Sequence, residues 1–223
     1  CAPSYVKVMS VKALGTPAGI GTADNVAKAI RYAQDNGAVI CNLSFGTNKY
    51  SEELYQTMKN SGMLFIVAAG NGDSSGSGYN IDSLPVYPAS FDLDNVISVA
   101  NLRFDGQIDP SSNFGAKSVD LAAPGSYILS TVSGNKYSYM SGTSMAAPHV
   151  SGILAQQLVN GANVSRQKVY NSASHAAVNP IKCDKNYCGR GIINSRKTAQ
   201  YVGNLDAQGK MSCSRPRSIY TRR

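Results

Sequence analysis

The chain has 223 residues, 43% hydrophobic and 15% charged, which suits one globular domain with a sizeable core. Its apolar runs fall far short of the ~20 residues a helix needs to cross a bilayer, so no membrane span is expected. The formal net charge is +8, but Lys210, Arg215, Arg217, Arg222 and Arg223 crowd a terminal stretch without acids; the body is only mildly basic, and no nucleic-acid partner is expected.

Residues 5–11 alternate in the manner of a strand, and residues 15–21 form a glycine-rich connection. Residues 24–34 place Val26, Ile30 and Ala33 on one helical face, with Thr22 as N-cap and Asn36-Gly37 as the stop. Residues 38–41 are apolar without alternation, the pattern of a strand covered on both faces. Ser51 caps a second helix with Glu52 and Glu53 in its first turn, Leu54 and Met58 facing inward, and Ser61-Gly62 ending it. Residues 63–69, 96–100 and 119–122 read as three more strands. Strands alternating with helices imply βαβ units and a parallel sheet, so the fold class is α/β.

Residues 70–94 are rich in Gly, Ser, Asp, Asn and Pro without helical period, as in a long functional loop. Further helices are expected at 143–160, 165–177 and 192–201. The domain should cover residues 1–203, and residues 204–223 should form a disordered basic tail. Five cysteines are too few for a disulfide scaffold and odd in number. Cys183 and Cys188 enclose a polar turn and can form a short disulfide, which would favour an oxidising compartment. No second closely spaced Cys or His pair supports a zinc site.

In open parallel sheets, ligands bind outside the carboxyl ends of the strands. Two segments are placed there: Ala68-Ala69-Gly70-Asn71, ending a strand on an amide, and Ser141-Gly142-Thr143-Ser144-Met145-Ala146-Ala147-Pro148, opening a helix with hydroxyls. Separately they have ordinary explanations, an N-capping serine and a turn-forming asparagine. Together they put a hydroxyl beside the positive end of a helix dipole, with an amide as a second donor to a negatively charged substrate oxygen.

On these residues the sequence resembles the subtilisin family. Gly142-Thr143-Ser144-Met145-Ala146-Ala147-Pro148-His149-Val150 is similar to the family's nucleophile motif and Ala68-Ala69-Gly70-Asn71 to its oxyanion motif. Asn42-Leu43-Ser44-Phe45-Gly46 resembles the substrate-binding edge, and Asp120-Leu121-Ala122-Ala123-Pro124-Gly125 the strand before the nucleophile. Tyr87-Pro88-Ala89 and Gly189-Arg190-Gly191-Ile192-Ile193-Asn194 fit further landmarks. The α/β-hydrolase nucleophile elbow fits less well, because Ala146 stands where that motif needs its second glycine.

The resemblance implies a three-layer, mostly parallel subtilisin-like sheet lacking its N-terminal strands. It implies a serine endopeptidase acting on polypeptides, with Ser144 as nucleophile and with the Asn71 amide and the Ser144 backbone N–H as oxyanion donors. Ser44, Phe45, Gly46, Ala69 and Gly70 would line the S1 pocket, with Val86 at its floor and a small P1 residue preferred. Asp73 or Asp82 turning into that pocket would instead select Lys or Arg. No cofactor is required for the chemistry and no metal ligands are identified; the family often binds structural calcium, no acidic loop here has a recognisable calcium spacing, and a site could also lie in the missing segment of the parent. A secreted location is expected.

A serine nucleophile needs a base, and the chain has two histidines. His149 lies about 140° around and roughly 7.5 Å along the same helix from Ser144, out of reach of its hydroxyl, and reads as structural. His175 has neither the family's chain order nor a carboxylate pattern. By resemblance the triad His and Asp precede Cys1, so residues 1–223 alone are expected to be inactive, lacking an N-terminal segment of the same domain. The competing readings are a non-catalytic subtilisin-like protein binding peptide along the Ser44-Phe45-Gly46 edge, and a basic module acting through the tail. Asn42-Leu43-Ser44 and Asn163-Val164-Ser165 are glycosylation sequons.

Overall fold

The computed structural model describes residues 6–15 and 20–159. The helices expected at 165–177 and 192–201, the Cys183 and Cys188 pair, His175 and the basic tail lie outside the described residues.

In chain order the elements are α1 (Ala23–Asp35), β1 (Ile40–Leu43), α2 (Glu52–Lys59), β2 (Leu64–Ala68), β3 (Val96–Leu102), β4 (Leu121–Pro124), β5 (Ile128–Val132), β6 (Lys136–Met140) and α3 (Thr143–Val159). Thr22 Oγ1 accepts the Asn25 N–H at 3.2 Å to start α1, and Gly37 follows its end at φ +84°, a left-handed conformation that favours glycine. Ser51 Oγ accepts the Leu54 N–H at 3.3 Å to start α2. Both caps are the residues the sequence pattern selects.

Strands β1 to β4 form one parallel sheet in the order β1-β2-β3-β4. Strand β2 is buried along its whole length, and its alternation divides two cores. Phe65 and Val67 pack with Val26, Ile30, Leu54 and Met58 from α1 and α2. Ile66 and Ala68 pack with Ala146, Val150 and Leu154 from α3. Helices on both faces of a parallel sheet make three layers. The parallel register brings the carboxyl ends of β1 to β4 to one edge, where α3 begins.

Three expectations are corrected. Residues 6–11 form no strand; Val8 stays exposed, while Val11, Ala13 and Leu14 pack on the core, because the alternating segment has no ladder partner among the described residues. The strand expected at 38–41 starts at Ile40, with Val39 exposed. It is half-covered rather than buried on both faces, since β2 alone pairs with it among the described residues. The antiparallel β5–β6 hairpin was not anticipated. Its turn carries Gly134 at φ 80° and Asn135 at φ 56°, conformations those two residues accept readily. The long segment at 70–94 is, as expected, free of helices and strands.

Candidate functional site

Strand β1 delivers Ser44, β2 delivers Ala69, Gly70 and Asn71, and the first turn of α3 delivers Thr143 and Ser144. A helix N-terminus leaves its first N–H groups without helical partners. Here the Thr143 N–H is donated to Asn71 Oδ1 at 2.8 Å, and those of Met145 and Ala146 to the Gly142 carbonyl. The Ser144 N–H has no partner among the described residues. The Thr143 hydroxyl also donates to Asn71 Oδ1, at 3.0 Å, and accepts the Gly70 N–H at 3.1 Å. Two donors from Thr143 therefore hold the oxygen of the Asn71 amide. Its Nδ2 makes no hydrogen bond among the described residues, so this amide and the Ser144 N–H are two unspent donors at one helix end.

Ser144 is gripped from β1. Its Oγ donates to the Ser44 carbonyl at 3.2 Å, and Ser44 Oγ donates to the Ser144 carbonyl at 3.1 Å. Pro148 explains the second bond: four residues on from Ser144, it has no N–H to give that carbonyl, which is left for the Ser44 hydroxyl. Asn42 extends the contact, donating to Ser44 Oγ at 2.9 Å and accepting from Ser151 Oγ at 3.0 Å. An open depression of about 560 Å³ lies beside Ser144, walled by Asn42, Ser44, Ile128, Pro148 and His149. His149 Nδ1 donates to the Met145 carbonyl of its own helix at 2.9 Å.

The anticipated pocket residues also gather. A Cβ on Gly46 would lie 2.7 Å from Val86 Cγ1, and one on Gly70 would lie 3.8 Å from it. Val86, 5% exposed, thus fills the space between the ends of β1 and β2. Thr47 and Tyr87 exchange backbone hydrogen bonds of 2.9 and 2.7 Å across the same cleft, and Tyr50 packs edge-on to Tyr87. Phe45 is half-buried against the core.

The two acids weighed as pocket charges are committed elsewhere. Asp73 Oδ1 accepts from the Ser75 N–H and hydroxyl within its own loop. The Asp82 carboxylate accepts from the N–H groups of Ser118 at 2.8 Å and Lys117 at 3.2 Å. Burial opposes ionisation of Asp82, yet those donors hold its carboxyl below the usual range. On β1, burial pushes the Cys41 thiol up to about 11, so it stays protonated and is no rival nucleophile at neutral pH. Among the described residues, no three His, Cys, Asp or Glu side chains gather to hold a metal ion, and no helix is long and apolar enough to cross a membrane.

Sequence reasoning singled out Asn71 and Ser144 but not the pairing of Thr143 with Asn71, nor Asn113, which ties down the loop beyond Asn71. Thr143 carried a signal, a hydroxyl at a helix start. Asn113 carried none, because its partners lie far away in the chain.

The chain matches the Subtilase family model across residues 2–209 and belongs to that family. It is 36% identical over 200 residues to the thermophilic serine proteinase of Bacillus sp. (strain AK1), covering 87% of this chain and 46% of that protein. It is 38% identical over 151 residues to the major intracellular serine protease of Bacillus subtilis (strain 168), covering 66% of this chain and 46% of that protein. The solved structure of the prenylagaramide maturation protease PagA shares the fold with a TM-score of 0.66 at 27% identity, over 81% of this chain and 68% of that one. The chain thus spans about half the length of these two sequence relatives, and its architecture is the three-layer α/β fold of subtilisins.

Proposed function

We propose that this subtilase carries the nucleophile and oxyanion donors of a serine endopeptidase, with Ser144 forming the acyl-enzyme and Asn71 stabilising the tetrahedral oxyanion. The observation that supports this most is the division of labour in the Asn71 amide: Thr143 takes its oxygen and leaves its Nδ2 to donate. As Ser144 Oγ attacks a substrate carbonyl, negative charge develops on the carbonyl oxygen. The Asn71 Nδ2 and Ser144 N–H donors, already oriented, stabilise it without reorganising during the reaction. The hydrogen bond from Ser144 Oγ to the Ser44 carbonyl must then give way, and the released proton needs a base.

Among the described residues the one histidine is His149, held through Nδ1 to its own helix and, five residues on from Ser144, turned about 140° around that helix from the hydroxyl, which supports a base supplied from elsewhere. On this reading a His and an Asp supplied outside residues 1–223 complete the triad, and these residues alone are inactive. The substrate is a polypeptide, lying along Ser44, Phe45 and Gly46 on one side and Ala69 and Gly70 on the other, with a small P1 residue above Val86. The secreted location remains part of this proposal. It rests on the spacing of Cys183 and Cys188, which permits a short disulfide, because the family also includes the major intracellular serine protease of Bacillus subtilis.

The test is Ser144→Ala in the full-length protein, with labelling by a fluorophosphonate, which reacts at an activated serine. Turnover should fall about 10⁶-fold, the loss known for subtilisin itself, and labelling should vanish. Full-length protein that binds peptide equally well with and without the substitution, and never turns it over, would favour the non-catalytic peptide-binding reading.

A further inference from the structure

Asn71 sits in a segment without helix or strand, yet an oxyanion donor must be held to about half an ångström. Thr143 fixes its side chain from one side; something must also fix the backbone that carries it. Asn113, 1% exposed, occupies that place. Its Oδ1 accepts the N–H groups of Gly72 at 2.9 Å and Tyr79 at 3.2 Å. Its Nδ2 donates to the Ala69 carbonyl at 3.0 Å, and its own N–H donates to the Gly70 carbonyl at 2.9 Å. The residues before and after Asn71 are therefore bonded to one buried side chain and its backbone.

The fit is close. Gly70 takes φ +99°, and a Cβ there would lie 2.5 Å from Asn113 Nδ2. Asn113 is itself anchored to the sheet: Ser112 Oγ accepts the Asn101 N–H at the end of β3 (2.9 Å) and donates to the Asn113 carbonyl (3.0 Å). The Phe114 N–H donates to the Tyr79 carbonyl at 3.1 Å, so the anchor reaches the far side of the loop. An asparagine suits this place because it both accepts from two N–H groups and donates to a carbonyl; no charged or apolar side chain of that size does both.

We propose that Asn113 is a positioning residue for the oxyanion donor: by fixing Ala69, Gly70 and Gly72 it sets the direction of the Asn71 amide. The inference rests on the role proposed above for Asn71. A displaced donor weakens transition-state stabilisation more than ground-state binding, so its signature is a split between kcat and KM.

In the full-length enzyme, with rates normalised to sites titrated by a fluorophosphonate so that unfolded molecules are not counted, Asn113→Ala should lower kcat by about 10- to 100-fold. That is the scale of an ångström's misplacement. KM should change less than about twofold, as expected when only a transition-state interaction is lost. Asn113→Asp, which keeps the two acceptor bonds but cannot donate to Ala69, should fall between Asn113→Ala and wild type. In an Asn71→Ala background either substitution should cost less than about threefold more, because nothing remains to be aimed. If Asn113→Ala does not fold, Asn113→Asp carries the same cycle. A loss in kcat that persists in full beside Asn71→Ala, or a KM that rises as much as kcat falls, would overturn the inference. So would Asn71→Ala acting strongly while both Asn113 variants match wild type. An Asn71→Ala enzyme as fast as wild type would overturn the oxyanion reading itself, and the inference with it.

Discussion

On one face of the sheet, α1 and α2 are held by many buried contacts among Val26, Ile30, Leu54, Met58 and Phe65, and by caps whose partners lie three residues away. At the carboxyl edge the joints are pairs of hydrogen bonds between residues 72 and 100 positions apart, Thr143 with Asn71 and Ser144 with Ser44. The first region is redundant: deleting one contact leaves its neighbours and costs stability. In the second a few directional hydrogen bonds converge on single side chains, so deleting one side chain costs position, and position is what catalysis measures. In one domain, stability and precision are thus located in different places.

If that contrast holds, stability and turnover should respond separately. Phe65→Ala, at a fully buried position of β2, should cost about 3 to 5 kcal/mol by chemical denaturation. Turnover per titrated site should be unchanged at temperatures where the enzyme stays folded; a parallel fall would show that the two regions are coupled. Asn71→Ala should do the reverse, lowering kcat about 100- to 1000-fold, or roughly 2.7 to 4 kcal/mol, the scale measured for this kind of donor in subtilisin. Its side chain is exposed, and the melting temperature should barely move.

Val86→Gly sharpens the contrast, since Val86 belongs to both regions: it is part of the buried core and it separates Gly46 from Gly70. Cleavage profiling of a peptide library should shift from small P1 residues toward Phe and Tyr by about 1 to 3 kcal/mol of discrimination. An unchanged profile would make Val86 a core residue only. The smallest effect is expected for Thr22→Ala, which removes the α1 cap and should cost about 1 kcal/mol of stability with no change in kcat.

The legibility of the molecule follows the same division. Helices α1 and α2 were readable to within a residue or two, because cap, stop and apolar face lie within a dozen positions of one another. Strands β2 and β3 were readable from continuous apolar runs, but β3 continues to Leu102 through Asn101, a polar residue that ended the apparent run and is nonetheless fully buried. The alternation continues through residues 6–11 without becoming a strand, because alternation records only that a segment could pair. The β5–β6 hairpin leaves little mark in the sequence, because Ser130, Thr131, Ser138 and Tyr139 are exposed and carry little apolar contrast.

By itself the sequence determined the α/β class, the capped helices, the buried central strands and the two segments that meet at the sheet's carboxyl edge, since each leaves a mark among near neighbours in the chain. Only the tertiary structure decided that Thr143 takes the oxygen of Asn71, that the carbonyl freed by Pro148 is met by Ser44, and that Asn113 holds both sides of the Asn71 loop. A hydrogen bond between residues tens of positions apart leaves no periodicity, composition or spacing in either segment. It exists once the sheet has closed the distance.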